Sequence, residues 1–376
     1  MTESGPPEES SEPSATPRPD GSSQPEAPIE DPAQVFPTDP PPDAALTGVG
    51  PPEGAAPDEP VTPARPGLRT FSLEHRVAPG LYLVGWLACL IGLGLVVVGI
   101  LSQPSLGQVV LLVVGLAALS VGLISAAGQQ SLERGARAAS AYTGPSPFLL
   151  FAAAVPISVL LDVVAAFILT VFGLDFDSPV GIVAGSLATA LPFVGLVRLL
   201  VIGTGALTVP DLGFAHRGAQ IVRDAGAGAL WGIVLIFATG LLAIALGSLL
   251  PVPSGPLPVA TSAGERLADL LVAGLIAPLS EEIFFRGFAT TAWARTMSRG
   301  AAIVRSGLFF AFIHVLTISG AETFGQGLGF AAFAFLGRLP VSLALAAVFL
   351  RRGSIYESLA LHSTFNAVPL VIVFLS

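Results

Sequence analysis

The chain has 376 residues, of which 52% are hydrophobic and only 11% charged, whereas an ordinary soluble domain carries about 25% charged residues. Together with a mean hydropathy of +0.77, this composition excludes a protein that is soluble along its whole length and indicates an integral membrane protein. The net charge of −9 is unevenly distributed, because residues 1–66 hold 13 acidic residues and two arginines, and the remainder holds 13 acidic residues and 15 arginines.

The N-terminal segment, residues 1–70, is predicted to be a disordered, acidic, proline-rich cytoplasmic tail. Residues 1–66 contain 18 of the 33 prolines and almost no aromatic side chains. Such a segment cannot bury enough apolar surface to offset the entropy lost on ordering. Its composition does not identify a partner.

Nine apolar stretches follow, each close to the roughly 20 residues that a helix needs to cross a bilayer. They lie near residues 81–101, 106–126, 148–172, 179–203, 227–250, 266–290, 302–318, 327–350 and 355–375. We therefore predict an all-α, polytopic transmembrane helix bundle of about eight to nine spans. Residues 71–204 form its N-terminal transmembrane helices.

The arginines between these spans predict the orientation of the chain. Alternate loops carry pairs of arginines, and the opposite loops carry none, except for one arginine at the outer edge of the sixth span. Since arginine is enriched in cytoplasmic loops, we expect a multi-pass protein of the cell membrane with a cytoplasmic N-terminus and an extracytoplasmic C-terminus. The paired arginines are Arg134 and Arg137, Arg217 and Arg223, Arg295 and Arg299, and Arg351 and Arg352, and the exception is Arg266.

Ionisable and strongly polar side chains are concentrated in the last four spans. Such groups are costly inside a membrane, so each of them marks a functional hypothesis. The sixth span contains two adjacent glutamates and an arginine, the seventh a phenylalanine and a histidine, and the ninth a histidine and an asparagine. In chain order these residues are Glu281, Glu282, Arg286, Phe310, His314, His362 and Asn366.

The spacing of these residues predicts part of their arrangement. Glu282 and Arg286 are four residues apart, so they share a helix face and are expected to form an ion pair. Glu281 lies about 100° further around the same helix and stays free to point elsewhere. Pro278, one turn earlier, lacks a backbone donor and predicts a loosened turn or a kink.

The three motifs E-E-x-x-x-R, F-x-x-x-H and H-x-x-x-N occur here in that order on apolar helices. This pattern resembles the CAAX protease and bacteriocin-processing (CPBP) family of intramembrane glutamic endopeptidases, also described as CAAX prenyl protease-like or Abi proteins. The flanking segments 276–287, 352–362 and 211–217 resemble the same family. The resemblance covers roughly residues 205–376, which we predict to form a CPBP-like intramembrane protease core.

The resemblance implies a role for each motif residue. Glu281 would be the general base, and His314 would help to hold and activate the attacking water. His362 and Asn366 would donate hydrogen bonds to the oxyanion of the tetrahedral intermediate. Glu282, Arg286 and Phe310 would orient the site. The implied reaction is hydrolysis of a peptide bond without a metal or another cofactor.

Two other functions remain open from the residues alone. Glu281, His314 and His362 offer the carboxylate and two imidazoles of a catalytic zinc site, although no H-E-x-x-H motif is present. Alternatively, the same residues would serve a non-catalytic membrane scaffold or a transporter. We expect a peptide or membrane-protein substrate and the lipid bilayer as partners, and no nucleic acid.

Arg338 departs from the family pattern, because it falls in the middle of the eighth predicted span, where the family has small and apolar residues. The sequence leaves two explanations open. Arg338 pairs with a carboxylate such as Glu322 or Asp269, or the boundaries of the span are misplaced.

Overall fold

The computed structural model describes Leu73 and residues 76–137, 141–252 and 260–376. The predicted tail, residues 1–70, lies outside the described residues. Within the described ranges there is no β-strand, and eight helices are long and apolar enough to cross a membrane. These findings confirm an all-α, polytopic transmembrane helix bundle.

Nine helices in the described ranges are numbered here in chain order. The first five are α1 Pro79–Leu101, α2 Leu106–Gly135, α3 Pro147–Val171, α4 Pro179–Val197, which continues as a π-helix over Arg198–Ile202, and α5 Ala219–Gly247. The interrupted helix α6 covers residues 263–294. The last three are α7 Arg299–Ile313, which continues as a 3₁₀-helix over His314–Thr317, α8 Phe324–Arg352 and α9 Ile355–Leu375.

Hydrogen-bonding side chains define where several of these helices begin. A serine or threonine precedes five of them and accepts a hydrogen bond from a backbone N–H in the first turn, which an N-cap residue typically does. At α6 the cap is a capping box, in which Ser262 and Glu265 satisfy each other's backbone N–H groups. The other caps are Ser105 at α2, Ser178 at α4, Ser298 at α7 and Thr323 at α8.

Helix α6 is interrupted along the apolar run at 266–290, in agreement with the loosened turn predicted near Pro278. It consists of five consecutive helical pieces, of which the second and the fourth are π-helical. Because no uninterrupted piece reaches 18 residues, α6 is not among the eight membrane-length helices. In order, the pieces are Ala263–Leu271, Val272–Ile276, Ala277–Glu281, Glu282–Thr290 and Thr291–Ala294. π-Helical turns are rare and occur frequently at functional sites.

Aromatic packing fixes the C-terminal half of α6 in the core. Phe284, Phe285 and Phe288 are each at most 1% exposed. The ring of Phe284 meets that of Phe193 in α4 at 5.1 Å, and the ring of Phe285 meets that of Phe310 in α7 at 5.0 Å. These contacts hold α6 against two other helices, directly beside the polar motifs.

Ion pairs join several segments at one end of the bundle. We call this end the arginine-rich end and define it by the paired residues Asp211, Asp224, Arg295, Arg352 and Glu357. Arg295 pairs with Asp211 at 2.6 Å, and Arg352 pairs with Asp224 at 3.0 Å and with Glu357 at 3.4 Å. Burial opposes ionisation of Asp211, but hydrogen bonds from Thr208 and the charge of Arg295 outweigh it and lower the pKa of Asp211. The loop before α5, the start of α5, the end of α6 and the α8–α9 turn therefore meet here.

The start of α9 is held at the same end by a close backbone contact. The N–H of Ile355 donates to the carbonyl oxygen of Gly213 at 3.1 Å. Gly213 has a φ of 91°, and a Cβ atom at this position would lie 2.7 Å from the nitrogen of Ile355. Glycine is required by both its φ angle and the available space. This contact fixes the beginning of the helix that carries His362 and Asn366.

Candidate active site

Helices α6 and α9 bring a glutamate, an arginine and a histidine into one buried cluster. Glu282 and Arg286 are 0% exposed and His362 is 4% exposed. Oε1 of Glu282 lies 3.1 Å from Nη1 of Arg286 and 2.9 Å from Nδ1 of His362. The ion pair predicted from the four-residue spacing is therefore present, and His362 is a second partner of Glu282 that the spacing did not indicate.

Glu281 faces the opposite side of the same imidazole ring. Its Oε2 lies 3.6 Å from Nε2 of His362, and 27% of its side chain is exposed. His362 is thus placed between the two adjacent glutamates. Glu282 is sealed in the core, whereas Glu281 remains accessible.

The contacts of His362 determine where its protons are. Glu282 is paired with an arginine, which stays charged in proteins, so its carboxylate only accepts hydrogen bonds and Nδ1 of His362 carries a proton. In the neutral ring, Nε2 would then direct a lone pair toward Glu281. His362 therefore donates through Nε2 only when both of its ring nitrogens carry a proton.

Phe310 of α7 contacts residues from all three motifs. The guanidinium carbon of Arg286 lies 4.1 Å from the centre of its ring, a distance typical of a cation–π interaction. The rings of His314 and His362 lie 4.7 and 5.7 Å from it. A single buried aromatic side chain thus fixes the positions of the arginine and both histidines.

His314 lies where α7 changes from an α-helix to a 3₁₀-helix. Its Nδ1 is 2.8 Å from the carbonyl oxygen of Phe310. Because a carbonyl only accepts, Nδ1 is the protonated nitrogen and Nε2 is left with a free lone pair. That nitrogen is able to accept a proton from a water molecule or to ligate a metal.

The zinc set considered from the sequence is not preassembled. In the part of the chain that the structure describes, no three His, Cys, Asp or Glu side chains are grouped closely enough to hold a metal ion. Glu281 and His362 are neighbours at 3.6 Å, and His314 is joined to them through Phe310. Binding of zinc by Glu281, His314 and His362 would require these side chains to move together.

Asn366 makes a contact that links α9 to the interruption in α6. Its Nδ2 donates to the carbonyl oxygen of Ala273 at 3.2 Å. In the π-helical turn, the N–H of Ala277 donates to the carbonyl oxygen of Val272, five residues earlier. The same spacing would pair the next carbonyl oxygen, that of Ala273, with a backbone N–H of Pro278. Proline has no N–H, and Asn366 supplies the missing donor. One of the two amide hydrogens of Asn366 remains available.

Arg338 lies in the middle of α8, so its span boundary is not misplaced. Among the described residues Arg338 forms no ion pair, so neither Glu322 nor Asp269 is its partner. Its side chain is exposed.

Two further contacts of the site were missed from the sequence. The placement of His362 between the glutamates depends on the packing of α9 against α6, which no local pattern encodes. The contact between Asn366 and Ala273 had one available signal, because Pro278 must leave a carbonyl without its backbone donor.

Residues 263–368 match the model of a protein family described as Rce1-like type II CAAX prenyl endopeptidase. The matched region runs from the start of α6 into α9 and contains every residue of the three motifs. It confirms the resemblance proposed from the sequence. No curated protein and no solved structure matches the chain.

Proposed function

We propose that the chain is an intramembrane glutamic endopeptidase. The premise is the match of residues 263–368 to the Rce1-like endopeptidase family, which implies a membrane peptidase. It hydrolyses a peptide bond without a metal, using water activated by Glu281 and His314. The observation that carries the proposal is the position of His362 between an accessible and a sealed glutamate.

The environments of the two glutamates support different roles. Glu282 already has Arg286 at 3.1 Å and His362 at 2.9 Å, and it is fully buried, so it has no room for water. Glu281 has 27% of its side chain exposed and its histidine neighbour only at 3.6 Å. Glu281 is therefore the carboxylate that is able to take a proton from water, and Glu282 holds the site together.

The proposed reaction begins with a water molecule held between Glu281 and Nε2 of His314. Glu281 takes one proton as the water oxygen bonds to the carbonyl carbon of the substrate, which produces a tetrahedral intermediate. The carbon–nitrogen bond then breaks, and Glu281 returns its proton to the leaving amine. A positioned general base of this kind contributes about 10²–10⁴-fold to the rate.

The oxyanion of the intermediate is stabilised by His362 and Asn366. In the proposed mechanism, Nε2 of His362 donates to the oxyanion while Nδ1 of the same ring donates to Glu282. Asn366 donates the amide hydrogen that Ala273 does not use. One such donor is worth about 10²–10³ in rate. Phe310 orients Arg286 and the two histidines through its ring contacts, and Arg286 orients Glu282 through their ion pair.

The helices that carry the site make the chain a multi-pass membrane protein. The arginine-rich end gathers arginines from several loops, and such arginines are cytoplasmic in most membrane proteins. We therefore orient the N-terminus toward the cytoplasm and the C-terminus away from it. The substrate is a peptide or a segment of a membrane protein that reaches the site from the bilayer or from its surface.

The proposal is tested by incubating the purified, detergent-solubilised full-length protein with a peptide library, with and without a metal chelator. We expect cleavage that persists after the chelator has removed free and bound metal. Loss of cleavage that zinc restores would replace the metal-free mechanism with the zinc alternative. Complete absence of cleavage by folded protein would count against a peptidase.

A further inference from the structure

A buried hydrogen bond between α6 and α7 lies outside the three motifs. Oγ of Ser306 in α7 is 2.7 Å from Oγ1 of Thr290 in α6, and both residues are 0% exposed. Oγ1 of Thr290 is also 2.7 Å from the carbonyl oxygen of Phe285, five residues earlier in the π-helical piece Glu282–Thr290. Because a hydroxyl has one hydrogen and a carbonyl only accepts, Thr290 donates to Phe285 and Ser306 donates to Thr290. Two hydroxyl groups therefore join the helices.

This hydrogen bond has the same antiparallel register as the contact between Arg286 and Phe310. Arg286 precedes Thr290 by four residues in α6, and Phe310 follows Ser306 by four residues in α7. Since residues four apart share a helix face, the hydrogen bond and the cation–π contact at 4.1 Å are one turn apart on the same two facing surfaces. One further turn in each helix leads to positions 282 and 314. The register of α7 against α6 therefore determines how His314 lies relative to the glutamates.

The hydrogen bond and the ring contact of the His314 side chain lie within its own helix. Its Nδ1 is 2.8 Å from the carbonyl oxygen of Phe310, and its ring centre is 4.7 Å from that of Phe310. The distance between His314 and Glu281 thus depends on where α7 as a whole is held. A hydrogen bond has strict requirements for distance and angle, whereas apolar packing is non-directional. The bond between Thr290 and Ser306 is therefore suited to fix the register along the helix axis.

We propose that Thr290 and Ser306 are positioning residues that act through His314, because their hydrogen bond sets the register of α7 against α6. The inference rests on the proposed peptidase function, in which Nε2 of His314 and Glu281 hold the attacking water. Loss of the hydrogen bond allows α7 to shift along α6 and carries His314 with it. A misplacement of about 1 Å can cost about 100-fold in rate.

The test measures kcat and KM of the purified full-length protein for the peptide that it cleaves best. We expect Thr290→Val, which replaces the hydroxyl by a methyl group, to lower kcat by about 10- to 100-fold and to change KM less than about threefold. Thr290→Ser keeps the hydroxyl and should restore kcat to within about threefold of the wild-type value. Thr239→Val is the matched control, because the buried hydroxyl of Thr239 donates to the carbonyl oxygen of Leu235 within α5 at 2.6 Å. The control should keep the wild-type kcat.

A second background separates positioning from general packing. In a His314→Ala protein, Thr290→Val is expected to lower kcat by less than about twofold, because the side chain that the hydrogen bond positions is no longer present. Ser306→Ala removes the same hydrogen bond with a smaller change of side chain. It should give the same two results, and it replaces Thr290→Val in the test if that variant does not fold.

Wild-type kcat for folded Thr290→Val and Ser306→Ala proteins would overturn the inference and leave the peptidase function intact. An equal loss of kcat in the wild-type and His314→Ala backgrounds would also overturn it, since the two hydroxyl groups would then contribute to packing alone. If the folded wild-type protein cleaves no peptide, the proposed function itself fails, and the inference fails with it.

Discussion

Two adjacent glutamates of α6 have opposite environments at the scale of single residues. Glu282 is fully buried with Arg286 and His362, whereas Glu281 is accessible. The sequence predicted the pairing of Glu282 with Arg286, because residues four apart share a helix face. It did not predict the link through His362, since that contact joins residues 80 positions apart.

Replacing Glu282 by glutamine is expected to destabilise the protein more than the same change at Glu281. Glu282→Gln leaves the fully buried guanidinium of Arg286 without its carboxylate, and breaking a buried ion pair in this way costs about 3–5 kcal/mol. Glu281→Gln removes only the longer contact between its carboxylate and Nε2 of His362, at 3.6 Å. We expect the melting temperature in detergent to fall clearly for the Glu282 variant and little for the Glu281 variant.

A double variant provides the control for this prediction. Glu282→Gln combined with Arg286→Met removes both charges, so no unpaired charge remains buried. We expect the double variant to be more stable than Glu282→Gln alone, which measures the coupling between the two side chains. Equal melting temperatures for Glu281→Gln and Glu282→Gln would contradict the roles assigned to the two glutamates.

At the scale of the helices, the interruption of α6 and the position of Asn366 are two parts of one arrangement. Ala273 has a carbonyl oxygen that Pro278 cannot satisfy, and Asn366 of α9 satisfies it at 3.2 Å. The apolar run predicted a membrane-spanning helix here, and Pro278 predicted a loosened turn within it. Two π-helical segments were not predictable, because they depend on contacts with α9 and on the aromatic core.

This arrangement predicts that Asn366 and Pro278 are energetically coupled. Asn366→Leu leaves the carbonyl of Ala273 without a donor and is expected to cost about 1–3 kcal/mol of stability. In a Pro278→Ala background the chain regains a backbone N–H at position 278, so the same Asn366→Leu change should cost less. The free energies of unfolding of the four proteins measure the coupling. An identical cost in both backgrounds would show that Asn366 does not compensate for the proline.

The position of α9 also depends on its close packing against α5. A Cβ atom at Gly232 would lie 2.8 Å from the carbonyl oxygen of Leu361 and 2.8 Å from Cβ of Thr364. These residues flank His362, so displacement of the backbone here would displace the imidazole. Apolar composition predicted both helices but not the face on which they meet.

We therefore expect Gly232→Ala to slow peptide cleavage more than tenfold and to lower stability by about 1–3 kcal/mol, as overpacking usually does. Gly240→Ala in the same helix is the matched control, because nothing lies within 4 Å of a Cβ atom at that position. The control should cleave at the wild-type rate. Wild-type cleavage by a folded Gly232→Ala protein would mean that α9 is not held in place by this contact.

At the scale of the whole molecule, hydropathy was sufficient to predict the bundle, because the apolar runs correspond to helices throughout the described ranges. It placed the start of α5 near residue 227, although the helix begins at Ala219. The first two turns of α5 contain Arg223 and Asp224, whose charges end the apolar run but pair at the arginine-rich end. Apolar runs mark membrane-spanning segments, whereas polar contacts extend helices beyond them.

The site lies inside this bundle, at a depth that the arginine-rich end helps to define. His362 is two turns from Ile355, the first residue of α9 at that end. The sequence identified the motif residues that meet there because charges are rare in membrane-spanning helices. It did not indicate which of the two glutamates remains accessible, since that depends on the packing of four helices.

In the proposed mechanism, Glu281 activates the water that attacks the peptide bond. This role is tested by the cleavage rate per folded molecule of Glu281→Gln, compared with wild type and with Glu322→Gln, a change at an exposed glutamate outside the site. We expect Glu281→Gln to lose about 10²–10⁴-fold in rate at an unchanged melting temperature, and Glu322→Gln to match the wild type. A folded Glu281→Gln protein that cleaves within about threefold of the wild-type rate would contradict the account, because a carboxamide cannot act as the general base.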